Sequence, residues 1–174
     1  MHVRKARLDD ALGIAKVSVN AWRSTYKGIV SDDFLEKMTI QKRAEKWRDK
    51  ISGKNEIIYV AEVNEVIVGY ASGGVERGRM KEYDGELYAI YLLEAFQNRG
   101  HGKLLLSYLS TEMEVRGYTS LLVWVLEANH SKDFYKRLEG KKIAEDTMEL
   151  SGIDYRLLGF GWPSITELRE QLSI

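Results

Sequence analysis

Apolar residues recur at helical spacing in the first fifty positions of the chain. A short strand is predicted over residues 3–7, and Asp9 is predicted to cap a helix whose apolar face carries Ile14 and Trp22. A second helix is predicted between Thr39, its N-cap, and Gly53, its stop. Its apolar positions step by four, three and four: Ile40, Ala44, Trp47 and Ile51.

The pattern changes from helix to strand after residue 55. Segments 56–63 and 66–75 are rich in β-branched and aromatic residues, and the dipeptide Asn64-Glu65 between them predicts a hairpin. The charged stretch 76–85 is expected to be an exposed loop, although a role in binding substrate stays open. Residues 86–93 predict the next strand.

The second half of the chain alternates helix and strand. A helix is predicted over 103–116 with Gly117 as its C-cap, and the continuous apolar run 120–126 is typical of a central strand covered on both faces. A short helix near 131–138 precedes two strands that turn at Ser151-Gly152. The order β-α-α-β-β-β-α-β-α-β-β predicts a mixed sheet of the α/β or α+β class.

Composition narrows the class of protein. The chain has 174 residues, 44% of them hydrophobic and 30% charged, which is typical of one globular domain, here 1–174. Its formal net charge is zero, so we expect no nucleic acid and no membrane partner held by bulk charge. The longest apolar run, 121–126, is too short to cross a bilayer, and the N-terminus does not resemble a secretory signal. The absence of cysteine suits a cytoplasmic location.

Cysteine-based catalysis and a metal site are also disfavoured. The chain has no cysteine, and its three histidines stand at positions 2, 101 and 130 without the spacing of metal ligands. We therefore expect no metal cofactor.

A glycine-rich loop carries the clearest chemical signal. Gly100 and Gly102 stand at the start of the predicted third long helix, with Arg99 and Lys103 beside them. Free amides at a helix N-terminus bind anions, phosphate above all, although such glycines also occur in ordinary turns. The spacing fits neither the nucleoside-triphosphate loop G-x-x-x-x-G-K-[ST] nor the dinucleotide fingerprint G-x-G-x-x-G.

The loop instead reads Q-x-x-G-x-G, from Gln97 to Gly102, directly after a strand. It resembles the acetyl-coenzyme A loop of the Gcn5-related N-acetyltransferase (GNAT) superfamily. Residues 128–145 resemble the family's later segment, with Asn129 after the next strand and the pair Phe134 and Tyr135 on a short helix. The resemblance implies a mixed, mostly antiparallel sheet of about seven strands flanked by helices, and acetyl-CoA as cosubstrate.

The resemblance also implies roles for individual residues. Backbone groups of the strand before the loop would bind the pantetheine arm, and the loop amides would hold the pyrophosphate, with Asn129 as a further cofactor contact and Tyr135 as the acid that protonates the leaving thiolate. The cofactor-binding set is Ile90, Tyr91, Leu92, Gln97, Asn98, Arg99, Gly100, His101, Gly102, Lys103, Asn129 and Tyr135. Glu86 occupies a position used for a catalytic base in one branch of the family, but it is equally well interpreted as a charged residue at a strand start.

The implied function is transfer of an acetyl group to a primary amine of a small molecule or peptide by direct attack in a ternary complex. The alternative is a non-catalytic acyl-CoA sensor. The sequence predicts the acceptor pocket less clearly than the cofactor site, because its aromatic candidates are also typical of a hydrophobic core. They are Trp22, Tyr26, Tyr83, Trp124 and Tyr155. The protein is expected to be a monomer or a homodimer.

Overall fold

A seven-stranded sheet forms the centre of the computed structural model, which describes residues 1–173. The strand order is β1-β2-β3-β4-β5-β7-β6, and every neighbouring pair is antiparallel except β4 and β5. The sheet confirms the predicted fold class. Its strands are β1 (His2–Lys5), β2 (Ile57–Val63), β3 (Val66–Val75), β4 (Gly85–Leu92), β5 (Leu121–Leu126), β6 (Lys141–Leu150) and β7 (Ile153–Trp162).

Six α-helices accompany the sheet within residues 1–173. They are α1 (Ala11–Tyr26), α2 (Asp32–Glu36), α3 (Ile40–Gly53), α4 (His101–Val115), α5 (Lys132–Arg137) and α6 (Ile165–Leu172). Neither α2, which has only five residues, nor α6 was predicted from the sequence, although Ser164 caps α6. The predicted cap at Asp9 is wrong: Asp10 directly precedes α1, and its carboxylate accepts the Arg7 amide hydrogen at 2.7 Å instead of capping the helix.

Helices cover both faces of the sheet. Ile58 and Val60 of β2 pack with α1 and α3, whereas the alternating residues Ile57, Tyr59 and Ala61 pack on the face that α4 covers. This explains why β2 is apolar at consecutive positions, because a strand buried on both sides has no polar face.

Local turn chemistry agrees with the sequence. The Thr39 hydroxyl accepts the Lys42 amide hydrogen at 3.3 Å, as expected of an N-cap. Asn64 and Glu65 both have positive φ, 48° and 64°, as a two-residue hairpin turn with matching twist requires.

The parallel pair β4 and β5 is joined at one end and open at the other. Their ladder comprises only the pairs from Gly85↔Leu121 to Leu87↔Val123. At the joined end, the Asp84 carboxylate accepts the amide hydrogens of Thr119 at 2.8 Å and Ser120 at 2.9 Å. The open end lies on the β5 side of residues 88–92, where no paired strand is present among residues 1–173.

A β-bulge lies where β4 leaves β5. Ser72 pairs with Ala89 but Gly73 pairs with Leu87, so Tyr88 is the extra residue of β4. A Cβ at position 73 would lie 2.8 Å from the Glu86 carbonyl oxygen and 3.2 Å from Leu109 Cδ2. Glycine at 73 therefore permits the close backbone approach at the bulge.

Replacing Gly73 by alanine is expected to lower the free energy of unfolding by about 1–3 kcal/mol, because the new methyl group overpacks the bulge. Gly53→Ala is the matched control, since a Cβ there meets no atom within 4 Å; we expect a change within about 0.5 kcal/mol. Urea unfolding of the two variants and the wild type measures both. Equal stability of all three would contradict the proposed role of Gly73.

Candidate active site

A cleft of about 590 Å³ lies between the open end of β4, the start of α4 and the segment that follows β5. It brings together predicted residues that are distant in the sequence. Those that line it are Ile90, Tyr91, Leu92, Gln97, Asn98, Gly100, Gly102, Lys103, Asn129 and Tyr135. The clustering of these groups in one cleft makes it the first candidate for ligand binding.

The loop before α4 presents the helix N-terminus to the cleft. Asn98 (φ 58°) and Gly100 (φ 81°) have left-handed backbone conformations, which turn the chain sharply into the helix. The Gln97 side chain donates a hydrogen bond to the Leu92 carbonyl at 3.0 Å and so fastens the loop to the end of β4. Free amides and the helix dipole make this end of α4 suited to an anion, and Lys103 adds positive charge.

Two predicted loop residues do not line the cleft as the structure describes it. His101 packs against Phe96, and its Nδ1 lies 3.0 Å from the Phe96 carbonyl oxygen, so the ring belongs to the loop's own packing. Arg99 is also outside the lining. For these two residues, cofactor binding stays a prediction that concerns their backbone amides.

Gly102 is open toward the cleft. A Cβ there would come no closer than 3.5 Å to another residue, the nearest atom being Phe134 Cε2, which is ordinary van der Waals contact. Packing within the protein therefore does not require glycine at this position. An anion lying close against the backbone would give the glycine a role, because a side chain at this position would face the cleft.

Asn129 is buried, and both polar atoms of its side chain are hydrogen-bonded to neighbours. Its Nδ2 donates to the Tyr26 hydroxyl at 3.0 Å, its Oδ1 accepts the Ser131 amide hydrogen at 2.9 Å, and the hydroxyls of Tyr26 and Tyr91 lie 3.1 Å apart. This network ties the segment after β5 to α1 and to β4. Asn129 thus holds the wall of the cleft together.

Tyr135 is 5% exposed and lies at the inner end of the cleft, where its ring packs with Phe134, Phe160 and Trp162. Burial, and secondarily the nearby Tyr26, raises the pKa of Tyr135 well above its ordinary value of about 10. The hydroxyl therefore keeps its proton at neutral pH and is available as a donor.

A second cleft of about 430 Å³ shares five lining residues with the first: Ile90, Tyr91, Asn129, Ser131 and Tyr135. Aromatic side chains line much of it: Trp22, Tyr26, Tyr88 and Trp124. Tyr83 and Tyr155, which the sequence also offered as acceptor residues, are not part of this lining as described. The two clefts provide separate approaches to one junction.

Glu86 lies in the second cleft but is already paired. It is 2% exposed; its Oε1 accepts from Arg77 Nη2 at 2.7 Å and from Nε at 3.2 Å, and its Oε2 accepts the Arg77 amide hydrogen at 3.0 Å. These bonds fix the start of the 76–84 loop. Sequence reasoning identified Glu86 and missed the pairing, because the partner lies in a loop whose path no pattern predicts.

Some lining residues had no signal in the sequence. Arg137 and Ser131 line the first cleft beside Tyr135, and Ser24 and Thr25 reach it from the end of α1. A single cationic or hydroxyl side chain outside a motif does not predict a binding site. These residues are identified only by where α1 and α5 pack in the fold.

Two negative findings concern residues 1–173. No group of three or more histidine or acidic side chains is arranged to hold a metal ion. None of the helices combines the length and apolar character needed to cross a membrane.

Comparisons with known proteins identify relatives of the chain. Residues 69–149 match the family model described as FR47-like protein. A Bacillus subtilis (strain 168) protein named "uncharacterized N-acetyltransferase YuaI" is 39% identical over 173 residues, which cover 98% of each chain.

Two solved structures share the fold. PaiA N-acetyltransferase from Thermoplasma acidophilum, in complex with coenzyme A, has a TM-score of 0.66 at 19% identity, over 90% of this chain and 96% of its own. The structure of yncA from Salmonella typhimurium, with its cofactor acetyl-CoA, has a TM-score of 0.70 at 22% identity, over 93% of this chain and 92% of its own.

Glu86→Gln tests whether this carboxylate anchors the loop. We expect the free energy of unfolding to fall by about 1–2 kcal/mol, because the buried side chain loses its charge against a half-exposed guanidinium. Urea unfolding measures the loss, and Glu82→Gln, an exposed neutralisation in the same loop, serves as the control.

The pH profile of kcat/KM separates the anchor from a base. If Glu86 only anchors the loop, Glu86→Gln keeps the acid limb of the profile. If Glu86 is the base, the substitution abolishes that limb. Unchanged stability together with a lost acid limb would show that Glu86 is the base.

Proposed function

Since the chain belongs to the Gcn5-related N-acetyltransferase superfamily and is an acetyltransferase of that type, we propose that it binds acetyl-CoA in the first cleft and transfers the acetyl group to a primary amine of a small molecule or peptide. One observation carries the proposal. The open end of β4, the N-terminus of α4 and Tyr135 line a single cleft that meets a second, aromatic cleft at its inner end.

The open edge of β4 supports binding of the pantetheine arm. Along residues 88–92, backbone groups on the side of β5 have no strand partner among residues 1–173, and the Leu92 carbonyl alone is bound there by a side chain, that of Gln97. Such groups favour hydrogen-bonding partners, and an extended ligand with amide groups supplies them in the manner of an added strand. Ile90, Tyr91 and Leu92 are the residues of this edge that line the cleft.

The far end of the ligand fits the start of α4. Pyrophosphate carries negative charge and acceptor oxygens, and the amides between Asn98 and Lys103 supply donors with a positive dipole. Arg137 on α5 adds a cation to the same cleft. Asn129 contributes by holding Tyr26 and Ser131 in place at the wall.

The reaction proposed is direct attack of the neutral amine on the thioester carbonyl. A nitrogen–carbon bond forms, the carbon–sulfur bond breaks, the amine loses a proton and the leaving thiolate gains one. Tyr135 is proposed to supply the proton to sulfur, and a proton that returns through water restores the phenol. Its raised pKa makes it a weak acid, so the proton moves only as negative charge develops on sulfur.

The proton from the amine leaves through Glu86 or through water. Glu86 lines the second cleft, through which the amine is proposed to enter, but its oxygens are occupied by Arg77. Water therefore fits better as the acceptor of this proton. The role of Glu86 is to fix the loop.

The direct test of function is release of thiol from acetyl-CoA in the presence of a panel of primary amines. Turnover that depends on the amine supports the proposal. Tight binding of acetyl-CoA without turnover across the panel would support a sensor of acyl-CoA instead.

Substitutions at Gly102 test the place of the pyrophosphate. Gly102→Ala fits the folded protein and improves helix propensity, so its stability is expected to equal or exceed that of the wild type. Its affinity for coenzyme A is expected to fall by about tenfold, and that of Gly102→Val by more. Calorimetric titration and thermal unfolding measure the two effects. Wild-type affinity in both variants would contradict the placement.

Tyr135→Phe tests the proton donor. Phenylalanine keeps the packing against Phe160 and Trp162 but removes the hydroxyl. The single-turnover rate of acetyl transfer is expected to fall by roughly 10²-fold, with little change in affinity for acetyl-CoA. Tyr108→Phe, an exposed hydroxyl on α4, is the control. A rate within about twofold of the wild type would make Tyr135 a packing residue.

A further inference from the structure

The loop that walls the second cleft is held in one shape by carboxylates. Glu76 accepts three amide hydrogens of its own loop, from Gly78 at 2.8 Å, Arg79 at 2.7 Å and Met80 at 2.9 Å. Glu86 accepts the Arg77 amide hydrogen at 3.0 Å. A loop of mixed charge is thereby ordered by its acidic residues, and its basic side chains project from a fixed backbone.

Two arginines of this loop line the second cleft, and each lies over an aromatic ring. The Arg77 guanidinium carbon lies 4.0 Å from the centre of the Tyr88 ring, and that of Arg79 lies 5.6 Å from the Trp124 ring. Stacking of this kind restricts a guanidinium and leaves its N–H edge accessible to acceptors, which here are Glu86 for Arg77 and Asp146 for Arg79. Arg77 is bound to Glu86, whereas Arg79 forms only an exposed ion pair with Asp146 of β6.

The charges of this cleft disfavour a polycation. Among the lining residues that the structure describes, Glu86 is the one acidic side chain, and Arg77 already neutralises it. No other lining carboxylate is available to a second ammonium group. The aromatic faces near the junction suit a single amine, and Arg79 at the loop suits an anion.

Building on the proposed function, we propose that the acceptor is an amine that also carries a carboxylate. Its amino group enters the aromatic part of the cleft toward Tyr135, and its carboxylate binds the guanidinium of Arg79 in exchange for the exposed Asp146. Arginine matches a carboxylate through parallel N–H groups, so it selects the acceptor without taking part in the chemical step.

The test compares acceptors that differ in one end group. Each set has one carbon skeleton, of four, five or six carbons. It contains the acid with an amino group at the far end of the chain, the diamine and the monoamine of the same length. In at least one set, kcat/KM for the amino acid is expected to exceed that for the diamine by about tenfold or more.

Variants assign the preference to Arg79. Arg79→Gln is expected to lower the amino acid to diamine ratio by about tenfold, mainly through KM, and Arg79→Lys to keep part of it. Lys81→Gln removes a positive charge from the same loop without touching the cleft lining, so its ratio is expected to stay that of the wild type. Arg79 is chosen over Arg77, because loss of Arg77 would leave Glu86 buried without its partner.

The outcomes separate this inference from the proposed function. Turnover with the diamine or the monoamine preferred in every set overturns the carboxylate acceptor and leaves acetyl transfer intact. If no amine is turned over, binding of the N-acetylated amino acids in the presence of coenzyme A, followed by tryptophan fluorescence, decides: binding that weakens in Arg79→Gln supports the inference, and no binding overturns it. Failure to bind acetyl-CoA at all overturns the proposed function instead.

Discussion

The divergence of β4 from β5 is the constraint on which the rest of the site depends. Asp84 joins the two strands at one end, through the amides of Thr119 and Ser120, and the ladder stops at Leu87↔Val123. The bulge at Tyr88, permitted by Gly73, turns β4 away from its neighbour at that point. A sheet that stayed paired would have no gap between these strands and no backbone groups left to bind a ligand.

The gap between β4 and β5 also explains why two clefts share one junction. One opens toward the start of α4 and the other toward the 76–84 loop, and both are lined by Tyr91, Asn129 and Tyr135. Hydroxyl and amide groups bonded to one another occupy the junction, whereas the cations Lys103 and Arg79 each line one cleft only. This distribution suits a neutral amine at the reaction centre with charged ends of both substrates held away from it.

The sequence predicted features that depend on neighbours along the chain. Turn residues such as Asn64-Glu65, the N-cap at Thr39 and the loop from Gln97 to Gly102 are local, and the structure has each where it was expected. The contact between Tyr26 and Asn129 joins residues 103 positions apart, and no local pattern carries it. Arg77 lies nine positions from Glu86, but the loop between them follows no periodic pattern. The helix α6 does carry a local signal, because Ser164 caps it and Ile165, Leu168 and Leu172 recur at helical spacing. A single domain and a cytoplasmic location stay predictions.

Hydrogen exchange along β4 tests the central claim most directly. Amides of residues 88–92 that face the gap are expected to exchange faster than those of Glu86 and Leu87, which lie in the ladder with β5. Saturation with coenzyme A is expected to slow the gap-facing amides by about tenfold or more, together with those of the loop before α4. Slowing confined to the loop, with exchange along 88–92 unchanged, would contradict the account, because the ligand would then bind without using the open strand.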